Sequence, residues 1–76
     1  MKTKDFISNF LKQNPKLTIV YNNKVIFQGS LASLLYSKVV KNNKIVECNI
    51  KSFYINENGT EILIDIYGYK KDNENN

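Results

Sequence analysis

Apolar side chains recur at helical spacing close to the start of the chain. The pattern predicts a helix over residues 3–13, with Thr3 as its cap and Asp5 in the first turn, where a carboxylate is favourable. The apolar positions of this helix are Phe6, Ile7, Phe10 and Leu11. Asn14-Pro15 should end it, because the residue before a proline avoids helical backbone angles.

Two β-rich runs follow and predict a hairpin over residues 16–29, turning at Asn22-Asn23. Asparagine tolerates the positive φ that a two-residue turn requires. The register set by this turn has three facing pairs, which are Val20 with Val25, Thr18 with Phe27, and Ile19 with Ile26.

A second helix is predicted over SLASLLYSKVV, residues 30–40, with Ser30 as its cap. Its apolar stripe consists of Leu31, Leu34, Leu35 and Val39. The polar run KNNK at residues 41–44 predicts a break. The ambiguous segment IVECN, residues 45–49, is interpreted as an extended lead-in to the next strand.

Asn58-Gly59 predicts the turn of a second hairpin, because a type I′ turn needs positive φ at both central positions. On one face of this hairpin the facing pairs are Ile55 with Ile62, Phe53 with Ile64, and Lys51 with Ile66. On the other face they are Tyr54 with Leu63, Ser52 with Asp65, and Ile50 with Tyr67. A slip of one residue would exchange the two faces.

The predicted element order is αββαββ, in a single α+β domain over residues 1–69. We expect a four-stranded, mostly antiparallel sheet with two helices on one face. The polar segment KKDNENN, residues 70–76, is predicted to be a disordered tail.

Two short helices can cover only one face of such a sheet, and the second hairpin has apolar residues on both faces. The more continuous set is assigned to the core and comprises Phe53, Ile55, Ile62, Ile64 and Ile66. The remaining set, predicted to be a partner or dimer interface, comprises Ile50, Tyr54, Leu63 and Tyr67. The alternative is an ordinary surface with scattered apolar residues. A homodimer through this face is expected, and its rival is a monomer that keeps the face open for a target.

The composition restricts the possible chemistry. The chain has 76 residues, a formal charge of +4, eleven lysines without arginine, and no histidine. Without histidine, a general base near neutral pH and a good zinc ligand set are both missing, so we expect no enzyme activity, no metal and no cofactor. Cys48, the one cysteine, is interpreted as a small core residue. With no signal-like N-terminus and no long apolar run, the expected location is the cytoplasm, away from membranes.

The positive charge favours anionic partners. Lys38, Lys41 and Lys44 are the candidates for holding an anionic nucleotide ligand. Sequence-specific DNA binding is disfavoured, because arginine contacts to guanine are the commonest device for reading bases. Non-specific nucleic-acid binding stays open as an alternative to a solvated basic surface.

Four segments between residues 5 and 66 form a recognisable combination. They are the helix ending in Asn14-Pro15, the hairpin with Tyr21 and residues 26–29, the pair Leu34-Leu35, and the run 50–55 before a turn and an Ile-rich strand. In this combination the chain resembles a group of small uncharacterised proteins from phages and prophages of A/T-rich Gram-positive bacteria. It departs from that group by carrying VVKNNKIVECN between helix and strand. The resemblance implies a viral or mobile-element origin and supplies no catalytic residues.

The function expected from the sequence is that of a non-enzymatic, phage-type binding protein that inhibits a bacterial host factor. Antagonism of antiviral defence is the favoured role, either as an anti-CRISPR-like inhibitor or as a sponge for a nucleotide signal. The expected partner is then a host protein or an anionic nucleotide. The alternatives are a structural or regulatory phage interaction module and a weak nucleic-acid-binding protein.

Overall fold

The computed structural model describes residues 1–70 and has the α+β class and the αββαββ alternation that the sequence predicts. Its helical elements are α1 (Thr3–Ile7), which runs into a 3₁₀ turn (Ser8–Phe10), α2 (Leu31–Leu35) and α3 (Val40–Glu47). Its strands are β1 (Lys16–Tyr21), β2 (Lys24–Ser30), β3 (Asn49–Ile55) and β4 (Glu61–Tyr67). The predicted tail over residues 70–76 lies outside the described residues, apart from Lys70.

The four strands form one sheet in the order β2-β1-β4-β3. Each hairpin is antiparallel, but β1 and β4 run parallel in the middle, with Leu17 opposite Ile62 and Ile19 opposite Ile64. The expectation of a mostly antiparallel sheet is therefore corrected to a mixed sheet. The cause is the connection through α2 and α3, which carries the chain to the far edge before β4 returns beside β1.

A β-bulge changes the register of the first hairpin. Asn22 and Asn23 adopt positive φ values of 51° and 65°, and Val20 pairs with Val25, as predicted. Beyond this pair, Ile26 is an extra residue. The predicted pairs Ile19 with Ile26 and Thr18 with Phe27 are therefore wrong, and the observed pairs are Ile19 with Phe27 and Thr18 with Gln28. The bulge places both Ile26 and Phe27 against the core.

The second hairpin keeps its predicted register over four pairs, which are Ile55 with Ile62, Tyr54 with Leu63, Phe53 with Ile64, and Ser52 with Asp65. Its turn is longer than the predicted two residues, because the carbonyl oxygen of Asn56 accepts a hydrogen bond from Gly59 N–H. Of the two residues predicted to have positive φ, only Gly59 has it, at 70°. Lys51 then forms a bulge. The predicted pairs Lys51 with Ile66 and Ile50 with Tyr67 are therefore wrong, since Ile50 pairs with Ile66 and Asn49 with Tyr67.

The helices differ from the predicted ones at their ends. The Ser30 cap is confirmed, because its hydroxyl accepts a hydrogen bond from Ser33 N–H at 3.1 Å. Thr3 is no cap. It is buried, and both its N–H and its Oγ1 hydroxyl donate to the carbonyl oxygen of Cys48, at 2.8 and 2.9 Å.

The predicted second helix is two helices. The first of them, α2, ends at Leu35, and the residues predicted as a polar break, 41–44, lie inside α3. Most of the predicted extended segment 45–49 is also helical, up to Glu47. Burial of Ile45 and Val46 offsets the modest helix propensity of the two asparagines.

The core lies between the three helices and one face of the sheet. Its buried apolar residues are Phe6, Ile7, Leu17, Ile19, Leu31, Leu34, Ile45, Val46, Ile62, Ile64, Ile66 and Tyr69. Ile62, Ile64 and Ile66 thus lie where the sequence predicts, and Ile55 packs at the core margin. Phe53 is half-exposed at the sheet edge, where its ring packs 4.6 Å from that of Phe6. Within residues 1–70, the helices are too short to span a membrane.

Two adjacent residues of β4 test which face of the sheet carries the core. Replacing fully buried Ile64 with alanine should lower the free energy of unfolding by about 2–5 kcal/mol, whereas Leu63→Ala on the opposite face should cost less than about 1 kcal/mol. Urea unfolding followed by circular dichroism measures both. Should Ile64→Ala fail to fold, Ile64→Val should still cost about 1 kcal/mol. Equal losses at both positions would contradict the assignment of the faces.

Candidate functional site

The helices leave one side of the sheet uncovered, and this side is the candidate functional site. We call it the outer face and define it by nine of the outward side chains of its four strands, which are Thr18, Val20, Val25, Gln28, Ser52, Tyr54, Leu63, Asp65 and Tyr67. Tyr54 is 65%, Tyr67 55% and Leu63 45% exposed. The outer face therefore combines aromatic and aliphatic side chains that are open to solvent.

Three of the four residues predicted as an interface lie on the outer face. Tyr54 and Leu63 face each other across β3 and β4. Tyr67 lies four residues beyond Leu63 on the same strand, which is about 13 Å at the usual rise per residue. Ile50 does not join them, because the bulge at Lys51 pairs it with Ile66 and directs it towards the core.

A carboxylate lies at the centre of the outer face. Asp65 lies between Leu63 and Tyr67 along β4, with Val20 beside it on β1 and Ser52 on β3. It is partly buried, and no lysine among residues 1–70 comes within 4 Å of its carboxylate. The sequence interpretation did not single out Asp65 as a candidate, although the alternation Leu63-Asp65-Tyr67 already places a charge among apolar neighbours.

Val20 and Val25 extend the outer face across the first hairpin, and they too were missing from the predicted interface. The sequence predicted their pairing, and it predicted that one face of the first hairpin adjoins the interface, but it did not say which residues because the parallel contact between β1 and β4 was not foreseen. Beside them, the Gln28 side-chain amide donates to Thr18 Oγ1 at 3.2 Å. The outer face thus runs from one edge of the sheet to the other.

The three lysines predicted to hold an anion lie away from the outer face. Lys41 and Lys44 belong to α3, and Lys38 lies in the connection between α2 and α3. Lys38 and Lys41 are exposed, whereas Lys44 is partly buried and lines a cleft of about 490 Å³ between α3 and the end of β4. Lys44 therefore lies in a different environment from Lys38 and Lys41, and the three lysines do not form one site.

A cluster of opposite charges fixes the N-terminal segment beside this cleft. Lys2 Nζ lies 2.9 Å from Glu47 Oε1, and Lys4 Nζ lies 2.7 Å from Glu47 Oε2. These hydrogen bonds, first that from Lys4 and then that from Lys2, lower the pKa of Glu47 to about 2. Hydrogen bonding to Glu47 in turn raises the pKa of Lys2.

The thiol of Cys48 is poorly suited to nucleophilic chemistry. Its Sγ donates to the carbonyl oxygen of Lys44 at 3.3 Å. Burial, and secondarily the charge of Glu47, raises the pKa of this thiol, so less of it is thiolate at neutral pH. In the described part of the chain, no three histidine, cysteine, aspartate or glutamate side chains group together as metal ligands would.

Comparison of the chain with protein-family models, with curated proteins and with solved structures gave no match. The resemblance to phage proteins therefore stays a prediction from the sequence. The role of the outer face has to be inferred from its own side chains.

Acid should abolish the contribution of Glu47 to stability. Because its folded-state pKa of about 2 lies below the ordinary value of 4.5, this contribution is complete above pH 4.5 and is lost as the pH falls to 2. We expect Glu47→Gln to lower the free energy of unfolding at neutral pH, and the difference from the unmodified protein to disappear near pH 2. Urea unfolding across this pH range measures it.

The control for this prediction is Glu57→Gln, in the exposed turn of the second hairpin, where no ion pair is formed among residues 1–70. This change should have no matching effect on unfolding. A loss for Glu47→Gln that is equally large at pH 7 and pH 2 would contradict an ionic origin.

Proposed function

We propose that this protein is a non-enzymatic binding protein that inhibits a bacterial host protein by contacting it through the outer face. The observation that carries the proposal is an uncovered, tyrosine-containing apolar face with a carboxylate at its centre. Contiguous exposed apolar surface usually marks an interaction site. Tyrosine is common at the centre of interfaces, because its ring is apolar and its hydroxyl forms hydrogen bonds.

The position of Asp65 favours a foreign partner over a second copy of the chain. A two-fold axis through the middle of the outer face would bring Asp65 against its own equivalent in the partner. Two carboxylates buried together repel each other and lose their hydration. A foreign protein that presents a lysine or arginine among apolar side chains would instead pair with Asp65 and cover Tyr54 and Leu63.

Binding rather than catalysis fits the chemistry of the chain. Histidine, the usual general base near neutral pH, is absent from the sequence. The one cysteine has a thiol pKa that burial raises, which disfavours the nucleophilic thiolate. The proposed inhibition therefore works by occupying a surface of the host protein, in the cytoplasm of the host cell.

Antagonism of an antiviral defence system is the specific role that we propose. It rests on the resemblance to small phage proteins. A structural or regulatory phage module is the alternative, and its partner would be another phage protein. The same outer face would serve either role.

Substitutions on the outer face should decide whether a partner binds there. After affinity purification has identified a partner, Leu63→Lys should weaken its binding by about a hundredfold, and Asp65→Asn by about tenfold, as calorimetry would measure. Leu11→Lys is the matched control, because Leu11 is equally exposed, at 45%, but lies after α1. The Leu11→Lys variant should bind the partner as tightly as the unmodified protein does.

Sedimentation tests the rival partner, a second copy of the chain. We expect a monomer at high micromolar concentration. A dimer that Leu63→Lys dissociates and Leu11→Lys leaves intact would overturn the foreign partner and establish the homodimer. Equal weakening by Leu63→Lys and Leu11→Lys would remove the outer face as the contact surface.

The defence role has its own test. Expression in a Gram-positive host with active CRISPR immunity should restore plaque formation by a targeted phage, and Leu63→Lys should abolish this effect while Leu11→Lys retains it. Hosts with other defence systems extend the assay. If plating is restored in none of them, antagonism of defence is excluded, whereas partner binding through the outer face is judged by calorimetry alone.

A further inference from the structure

The turn of the second hairpin contains two asparagines in very different surroundings. The side chain of Asn56 holds the base of the turn, because its Oδ1 accepts hydrogen bonds from Thr60 N–H at 2.9 Å and from Glu61 N–H at 3.1 Å. Its Nδ2 donates to Thr60 Oγ1 at 3.0 Å. Asn58 is exposed, and its side-chain amide forms no hydrogen bond within residues 1–70. The amide of Asn58 can therefore rotate, whereas that of Asn56 is fixed.

Gly59, the residue after Asn58, leaves the space around its own backbone nitrogen open. A Cβ added to Gly59 would meet no atom within 4 Å, and glycine itself has no Cβ that could hinder an approach to its nitrogen. Among the asparagines of the sequence, only Asn58 is followed by a glycine. The chain thus has one place where an asparagine amide can reach an unhindered backbone nitrogen of the next residue.

One hydrogen bond restrains that nitrogen in the described chain. Gly59 N–H donates to the carbonyl oxygen of Asn56 at 3.0 Å. The strands below are closed separately, by the side chain of Asn56 and by Asn56 N–H, which donates to the carbonyl oxygen of Glu61 at 3.0 Å. Residues 57–59 can therefore open while the strands stay paired, and local openings of this kind cost much less free energy than global unfolding.

We propose that Asn58 is a site of spontaneous covalent modification, at which the side-chain amide is replaced by a carboxylate. When residues 57–59 open, the Gly59 nitrogen loses its proton to hydroxide and attacks Cγ of Asn58. A bond forms between this nitrogen and Cγ, and the bond between Cγ and Nδ2 breaks. Nδ2 takes a proton from water and leaves as ammonia, which regenerates the hydroxide. The product is a cyclic imide that joins residues 58 and 59.

Water then opens the imide at one of its two carbonyl carbons. Addition at Cγ breaks the bond between Cγ and the Gly59 nitrogen, and the product is aspartate with an unaltered main chain. Addition at the main-chain carbonyl carbon of residue 58 breaks the bond between that carbon and the Gly59 nitrogen. The chain then continues through Cβ and Cγ, and residue 58 becomes isoaspartate. Both products carry a new carboxylate, but only isoaspartate adds a carbon atom to the main chain of the turn.

The added carbon atom should affect the strands, because the length of a hairpin loop fixes the register of its strands. In the second hairpin this register sets Tyr54 opposite Leu63. The isoaspartate form should therefore unfold at a lower urea concentration than the unmodified protein. Asn58→Asp reproduces the other product and should unfold as the unmodified protein does. The proposal does not depend on partner binding through the outer face.

The test is to incubate the folded full-length protein in mildly alkaline buffer and to locate the modification by digestion and mass spectrometry. We expect conversion at Asn58, with two products of equal mass that separate in chromatography, and a rate that rises in proportion to hydroxide concentration. Asn56 in the same turn and Asn22 in the turn of the first hairpin are internal controls. Both should keep their amides while Asn58 loses its own.

Gly59→Asn is the variant that tests the route through the imide. Asparagine tolerates the positive φ of this position, as Asn22 and Asn23 show, but it adds a Cβ beside the attacking nitrogen. Conversion of Asn58 should slow on the order of tenfold in this variant. An unchanged rate would overturn the imide route.

The same protein unfolded in urea gives the reference rate for a chain without the turn. If Asn58 in the folded protein keeps its amide over the time in which the unfolded protein is fully converted, the proposal is overturned, because the closed turn then protects the site. Conversion of Asn56 or Asn22 as fast as that of Asn58 would overturn it as well. An isoaspartate form that unfolds at the same urea concentration as the unmodified protein would contradict the effect on the strands.

Discussion

The parallel contact between β1 and β4 is the constraint on which the rest of the structure depends. It joins two hairpins that are distant in sequence, and it pairs Ile19 with Ile64, both fully buried. An isolated hairpin is marginal in water, so neither half of the sheet has a core without this contact. Because β4 is thereby central, its inward residues form the middle of the core and its outward residues form the middle of the outer face.

Local pattern was enough to predict parts of the chain whose structure depends on neighbouring residues. The turn at Asn22-Asn23, the Ser30 cap and the inner set Ile62, Ile64 and Ile66 belong to this group. Each depends on a backbone preference or on the two-residue period of a strand. The same period placed Tyr54 and Leu63 on the opposite face, so this part of the outer face was accessible from the sequence.

Other features depend on contacts that are distant in sequence, and the sequence pattern did not reveal them. Alternation within a strand does not say which strand lies beside it, so the parallel pairing and the position of Val20 next to Asp65 were missed. The bulges at Ile26 and Lys51 each shift the register by one residue within a strand that stays continuous. The helix over residues 41–44 forms against its local pattern because Ile45 and Val46 are buried beneath it.

The bulge at Lys51 also allows the N-terminal segment to contact the edge of the sheet. It leaves Ile50 N–H pointing away from β4, where it donates to the carbonyl oxygen of Met1 at 2.9 Å. The N-terminal segment thus covers part of the β3 edge, an arrangement that limits unwanted strand pairing. It also brings Lys2 and Lys4 to Glu47, which would otherwise carry an unpaired negative charge at the end of α3. Glu47 is thus neutralised within the chain, whereas the carboxylate of Asp65, in the middle of the outer face, forms no ion pair with any lysine among residues 1–70.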